Sequence, residues 1–140
     1  MYRYIYVICI FFCWQNLYAQ TELSGFWLVD FQKTIDMMSE GNRKEYDSLR
    51  EEQRNRLFEN FSTRTFLFKD SGAVEISWIA SGNKGSVAGS WILKGSELSI
   101  IYAKGYKSVY SIQTMEEDSL ILTMKTSPGI FTKLFLSRGK

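Results

Sequence analysis

Six aromatic or soft apolar side chains are the residues of this 140-residue chain best suited to hold another molecule: Phe31, Phe66, Trp78, Tyr102, Tyr110 and Met124. They offer what a small hydrophobic ligand requires, apolar area for affinity and phenolic hydroxyls for orientation. The same side chains suit a close-packed interior equally well. Other chemistry is sparse. The chain contains no His, which removes imidazole acid–base catalysis, Ser-His triads and His-ligated metals. Asp30, Asp36 and Glu75 are carboxylates of the type a glycosidase pairs, but nothing in their spacing fixes a separation. Glu116-Glu117-Asp118 carries oxygens for Ca²⁺, yet three adjacent residues cannot all face one ion, so the segment reads as a solvated turn. Lys84, Lys104 and Lys107 read as scattered surface lysines, with attraction of an anionic headgroup as the weaker alternative. No catalytic residue, metal ligand or cofactor is expected.

The elements that position these residues begin after an address segment. Arg3 precedes an apolar run from Tyr4 to Trp14, and Leu17-Tyr18-Ala19 places a small residue before Gln20. The run is too short to cross a hydrocarbon layer of roughly 30 Å as a helix. Met1–Ala19 therefore reads as a secretory signal peptide, cleaved near Ala19, and the protein is expected to be exported, periplasmic or secreted. Ile10-Phe11-Phe12 before Cys13 is unlike a lipoprotein signal. Both cysteines, Cys9 and Cys13, leave with the peptide. Residues 20–140 then hold no thiol for a disulfide, a nucleophile or a zinc site. They carry 16 Lys and Arg against 15 Asp and Glu, so neither nucleic acid nor stable membrane insertion is expected. The remaining 121 residues make one domain held by its apolar core, and their oligomeric state is left open.

Gly25 to Phe31 is aromatic and β-branched and reads as strand one. About 33–61 is instead rich in helix-forming Glu, Arg, Lys, Gln and Met. Glu40/Lys44, Arg43/Asp47 and Glu52/Arg56 stand four apart, as helical ion pairs do. Ser48-Leu49-Arg50-Glu51 fits a capping box. Two helices are predicted, about 34–46 and 49–60, with an apolar stripe of Ile35, Met38, Tyr46, Leu49, Leu57 and Phe61 that packs against the rest of the fold.

From Arg64 onward, short strands alternate with turns: 64–69, 73–80, 86–93, 97–102, 107–114, 119–125 and 130–138, the last after Ser127-Pro128-Gly129. Turns this short join antiparallel neighbours. Eight such strands leave two open edges unless the sheet closes, and a closed barrel of eight holds side chains or one small ligand. One alternating face, running from Trp27, Val29 and Phe31 to Leu134 and Leu136, is expected to point inward. The fold class is therefore mainly β, an eight-stranded up-and-down antiparallel barrel with a helical insertion between strands one and two. Phe26, Leu28, Ile79, Ile92, Ile101, Ile121, Phe131 and Phe135 are expected on the outer face.

Leu23-Ser24-Gly25-Phe26-Trp27 resembles the Gly-x-Trp signature that opens the first strand of the lipocalins. The resemblance implies that Trp27 plugs the barrel base and that Arg138, late in the last strand, lies over it, with Gly25, Trp27 and Arg138 closing the barrel. The chain also resembles exported bacterial lipocalin-like (calycin) domains, through the Gly-x-Trp start, the helical insertion, a Phe-rich strand ending in a D-x-G turn, and Gly89-Ser90-Trp91-Ile92-Leu93-Lys94-Gly95-Ser96-Glu97-Leu98-Ser99-Ile100. Two departures are its short length and the lack of a long helix after the last strand. The helix pair resembles the lid of fatty-acid-binding proteins, which have ten strands. If Trp27 marks the closed end, strand direction puts Phe31, Phe66, Trp78, Tyr102, Tyr110 and Met124 at the mouth. The implied function is non-enzymatic binding of a small hydrophobic molecule in or at that mouth. The alternative is a protein-interaction or inhibitor module built on a filled barrel.

Overall fold

The computed structural model describes residues 22–126 and 129–140. The expected signal peptide, Met1–Ala19, and the Ser127-Pro128 part of the expected turn lie outside the described residues. Eight strands form one sheet: β1 (Gly25–Val29), β2 (Thr65–Phe68), β3 (Ala73–Ala80), β4 (Asn83–Lys94), β5 (Glu97–Tyr102), β6 (Lys107–Met115), β7 (Ser119–Met124) and β8 (Lys133–Arg138). Each pairs antiparallel with the next, and β8 pairs with β1, so the sheet closes into an up-and-down barrel. The closing register sets Trp27 opposite Arg138 and Val29 opposite Leu136. Closure follows from the alternation: a single inward apolar face on every strand is buried only if the sheet curls round it.

That face is the core. Trp27, Phe66, Phe68, Leu98, Ile100, Leu120, Leu122 and Leu136 are almost fully buried, and Trp78, Val87, Ile112 and Met124 are half-buried. One outer-face expectation is overturned. Phe131 is buried, because β8 starts at Lys133 and the strand alternation does not extend back to residue 131.

The insertion has three helices, not two: α1 (Phe31–Asp36), α2 (Glu40–Ser48) and α3 (Glu51–Ser62). Strand β1 ends at Val29, since the Asp30 carboxylate accepts from the Lys33 amide (3.0 Å) and caps α1. Phe31 thus opens a helix instead of ending a strand. Ser39 caps α2 in the same way, accepting from Asn42 N at 3.2 Å. The expected capping box at Ser48 does not form. Its hydroxyl donates to the Glu45 carbonyl (2.7 Å), inside the last turn of α2. Leu49 is extended, Arg50 becomes the cap of α3, and Gln53 Oε1 accepts from Arg50 N at 3.0 Å. The three expected ion pairs are present, all on the exposed surface, where each adds only about 0.3–0.5 kcal/mol.

The helices are tied to one side of the barrel. Phe135 N donates to Thr34 Oγ1 (3.1 Å), and Asp30 N donates to the Phe135 carbonyl (2.9 Å), fixing α1 on β8. Thr63, just after α3, accepts from Ile79 N at 2.8 Å. The Glu59 carboxylate accepts from Ser81 N (2.7 Å) and Gly82 N (2.9 Å), fixing α3 on the β3–β4 turn. Phe31, Tyr46, Phe61 and Phe131 fill the space beneath, and the exposed Phe58 ring meets Phe31 edge-on, with ring centroids across the cluster 4.5–6.5 Å apart. Among the described residues no helix is long and apolar enough to cross a membrane.

Candidate functional site

The two ends of the barrel are built from the same pair of groups, a guanidinium and an indole. At one end, Trp27 is fully buried and its indole N–H donates to the Leu23 carbonyl at 2.8 Å. The Arg138 guanidinium lies 4.3 Å from a Trp27 ring centroid. It donates to three backbone carbonyls: Ser24 (2.9 Å), Glu22 (2.6 Å) and Glu117 (2.6 Å). Gly25 makes room for it. Its φ is +127°, and a Cβ there would stand 2.8 Å from Arg138 Nη1. The rings of Phe68 and Trp91 meet edge-on at 5.6 Å above this base, and Trp91 donates to the Lys69 carbonyl (3.1 Å). This end is closed and filled.

At the other end the interior stops short of the rim and leaves a cavity of about 160 Å³. Phe66, Trp78, Tyr102 and Tyr110 line it, together with Ile76, Val87, Tyr106 and Arg64. Four of the six residues named from the sequence therefore share one space. Strand direction explains this: β2 and β6 begin at the rim, and β3 and β5 end there. Trp78 is held flat over its cross-strand partner Gly85, where a Cβ would come within 2.7 Å of the indole. Tyr102 stacks on the exposed ring of Tyr106 at 4.4 Å. Tyr110 lies beside Tyr102 and Ser108; burial first, then the neighbouring Tyr102, pushes its pKa above the usual phenol range. Its hydroxyl stays protonated and able to donate at neutral pH.

Arg64 is the one charge in the lining. Its guanidinium packs 4.3 Å from the Phe61 ring centroid and 5.7 Å from that of Trp78, and its Nη2 donates to Asn60 Oδ1. Buried Nε has no hydrogen-bond partner, and no carboxylate among the described residues pairs with the group. Burial lowers its pKa, partly offset by Tyr110 and Tyr102, but a guanidinium keeps its charge at neutral pH.

The other two residues named from the sequence lie elsewhere. Phe31 packs in the aromatic cluster under the helices. Met124 lines a separate apolar space of about 280 Å³ between α3 and residues 129–134. A larger groove of about 480 Å³ runs along α3, past Leu49, Leu57 and Ile130, but its one charged group, Arg56, is already paired with Glu52. Asp30 caps a helix, Asp36 accepts from Gln32, and Glu75 is exposed on the outer face of β3, so these carboxylates share no site. No cluster of three metal-ligating side chains occurs among the described residues. Arg64 was missed from the sequence although a signal existed: it has the same parity as Phe66 and Phe68, so the inward face begins one position before β2, with a cation.

Comparison with known proteins adds the architecture. A solved structure of a lipocalin-like protein from Bacteroides uniformis superposes with a TM-score of 0.54 at 17% identity, covering 84% of this chain and 99% of that one. The fold is lipocalin-like. No family model matches the chain, and neither does any curated protein. In this lipocalin-like barrel the Gly25-Phe26-Trp27 opening sits at the closed base under Arg138, and the cavity sits at the opposite rim.

Proposed function

We propose that this chain is an exported, non-enzymatic binding protein that holds a small hydrophobic molecule at the mouth of its lipocalin-like barrel. One observation carries the reading: above the packed base of the barrel, Phe66, Ile76, Trp78, Val87, Tyr102 and Tyr110, with Arg64, line a space of about 160 Å³ at the rim. An apolar concavity with a few hydroxyls is the usual composition of a ligand pocket. Its size limits the occupant. An apolar cavity of about 150 Å³ accommodates one benzene ring, so a ring-sized group fits within this space and a long acyl chain would extend beyond it into solvent. Export rests on the Arg3, Tyr4–Trp14 and Ala19 pattern. The non-enzymatic part rests on the lack of His and on the separation of Asp30, Asp36 and Glu75.

Tryptophan fluorescence tests the reading, because Trp78 lies in the pocket wall. Titration with phenol, toluene and other ring-sized probes should give saturable quenching that Trp78→Phe removes. Absence of any saturable response, with calorimetry equally silent, would defeat it. A second reading, a partner-binding module, is favoured by the exposed Phe26, Leu28, Ile79, Ile92 and Ile101 on the outer face. Sedimentation as a monomer at high concentration would weigh against self-association through that face.

A further inference from the structure

We propose that the Arg64 guanidinium donates to the carboxylate of the bound molecule, so that the mouth pocket is selective for small aromatic monoanions over neutral compounds of the same shape. This deepens the binding role argued above and rests on it.

Arg64 is a side chain that the fold does not complete. Arg64 stands at the wall of the cavity with one acceptor, Asn60 Oδ1, and a buried Nε that donates to nothing. A guanidinium has five N–H donors, and buried donors are normally satisfied. Arg138 shows what completion looks like in the same molecule, with three carbonyl acceptors over an indole. No acidic side chain among the described residues neutralises Arg64. Phe61 and Trp78 cover it without supplying an acceptor, and they lower the local dielectric, which strengthens its attraction for an anion.

The surroundings specify the anion. Tyr102 and Tyr110 bring hydroxyls to the same cavity, and these can donate to an oxygen that Arg64 also contacts. A planar fork with flanking phenols suits a planar, two-oxygen acceptor. There is one cation in the lining, so one negative charge is balanced and two are not. Phe66, Ile76, Trp78 and Val87 supply the apolar part of the lining of this half-open space, whose volume is about that of one ring. The geometry assigns the polar end to Arg64 and the ring to the wall formed by Phe66, Ile76, Trp78 and Val87.

Calorimetric titration of the full folded chain with benzoate and with benzamide, its neutral isostere, tests this. The wild type should bind benzoate about tenfold or more tightly than benzamide, a preference that added salt reduces. Arg64→Met should bring the two affinities together without unfolding the protein, as judged by circular dichroism. Tyr110→Phe, which keeps the ring, should lower benzoate affinity about threefold to tenfold and leave benzamide nearly unchanged. Equal binding of both compounds by the wild type would overturn the assignment of Arg64 while leaving the mouth as a ligand site. Tighter binding of inorganic phosphate than of benzoate would overturn the carboxylate. Failure of every ring-sized probe, charged or neutral, would remove the ligand site itself and this inference with it.

Discussion

The closed base and the open rim of this barrel use one chemical device in two states of completion. Arg138 over Trp27 has a partner at every nitrogen: an indole face 4.3 Å away and three carbonyl acceptors. Arg64 beside Trp78 has two ring faces, one side-chain acceptor and a buried Nε with nothing to donate to. The first arrangement stabilises the fold, because each of the three guanidinium nitrogens donates to a backbone carbonyl and ties the chain before β1 to β8. The second costs the fold something, because a charge is partly buried without a counter-ion. Proteins keep such groups where something else completes them. The contrast separates a structural cation from a receptive one without reference to any relative.

The largest expected effect that could break this contrast is at the base. Trp27→Ala removes a fully buried indole and should cost about 3–5 kcal/mol by chemical denaturation. Next come the two arginines, compared directly. Arg138→Met should cost about 2–4 kcal/mol, since charge-assisted bonds to three carbonyls and the stacking on Trp27 are lost. Arg64→Met should change stability by less than about 1 kcal/mol in either direction, since the lost bond to Asn60 is offset by removal of an unpaired buried donor. Equal losses at both sites would show the two ends to be equivalent. Gly25→Ala should cost about 1–3 kcal/mol, because φ of +127° disfavours a side chain and the new methyl would press on Arg138.

The smallest effect is at the rim. The pKa of Tyr110 is raised in the folded state, so its contribution to stability is present below the unfolded phenol value of about 10. It is lost as pH rises above that value, where the unfolded chain releases the proton and the folded chain retains it. Unfolding free energies measured from pH 9 to 11 should fall for the wild type and fall less steeply for Tyr110→Phe.

Much of the fold was legible in the sequence, and the reasons are physical. A period of two on every strand, with turn residues between, leaves closure as the way to bury one face; the strand order and the β1–β8 pairing follow. The pairs Glu40/Lys44, Arg43/Asp47 and Glu52/Arg56 marked the helices because they are local. The boundaries were less legible, since they depend on competition between caps. Asp30 ended β1 two residues early, and Gln53 rather than Glu51 completed the start of α3. Phe131 looked outward only while residues 130–132 were counted as strand. At the rim, Phe66, Trp78, Tyr102 and Tyr110 could be placed together from strand direction alone. Phe31 and Met124 could not be separated from them, because their positions depend on how the helices lie across the barrel. Arg64 was hidden by its type. A cation on an inward parity looks like the end of a strand unless one asks which acid would neutralise it.

A crystal structure of the protein soaked with 4-bromobenzoate tests the central claim most directly, because the anomalous signal of bromine locates the ring unambiguously. The account predicts a bromine peak in the rim cavity beside Trp78, with carboxylate density against the Arg64 guanidinium. A rim cavity filled by Tyr102 and Trp78, with bromine only in the groove along α3 or nowhere, would contradict it.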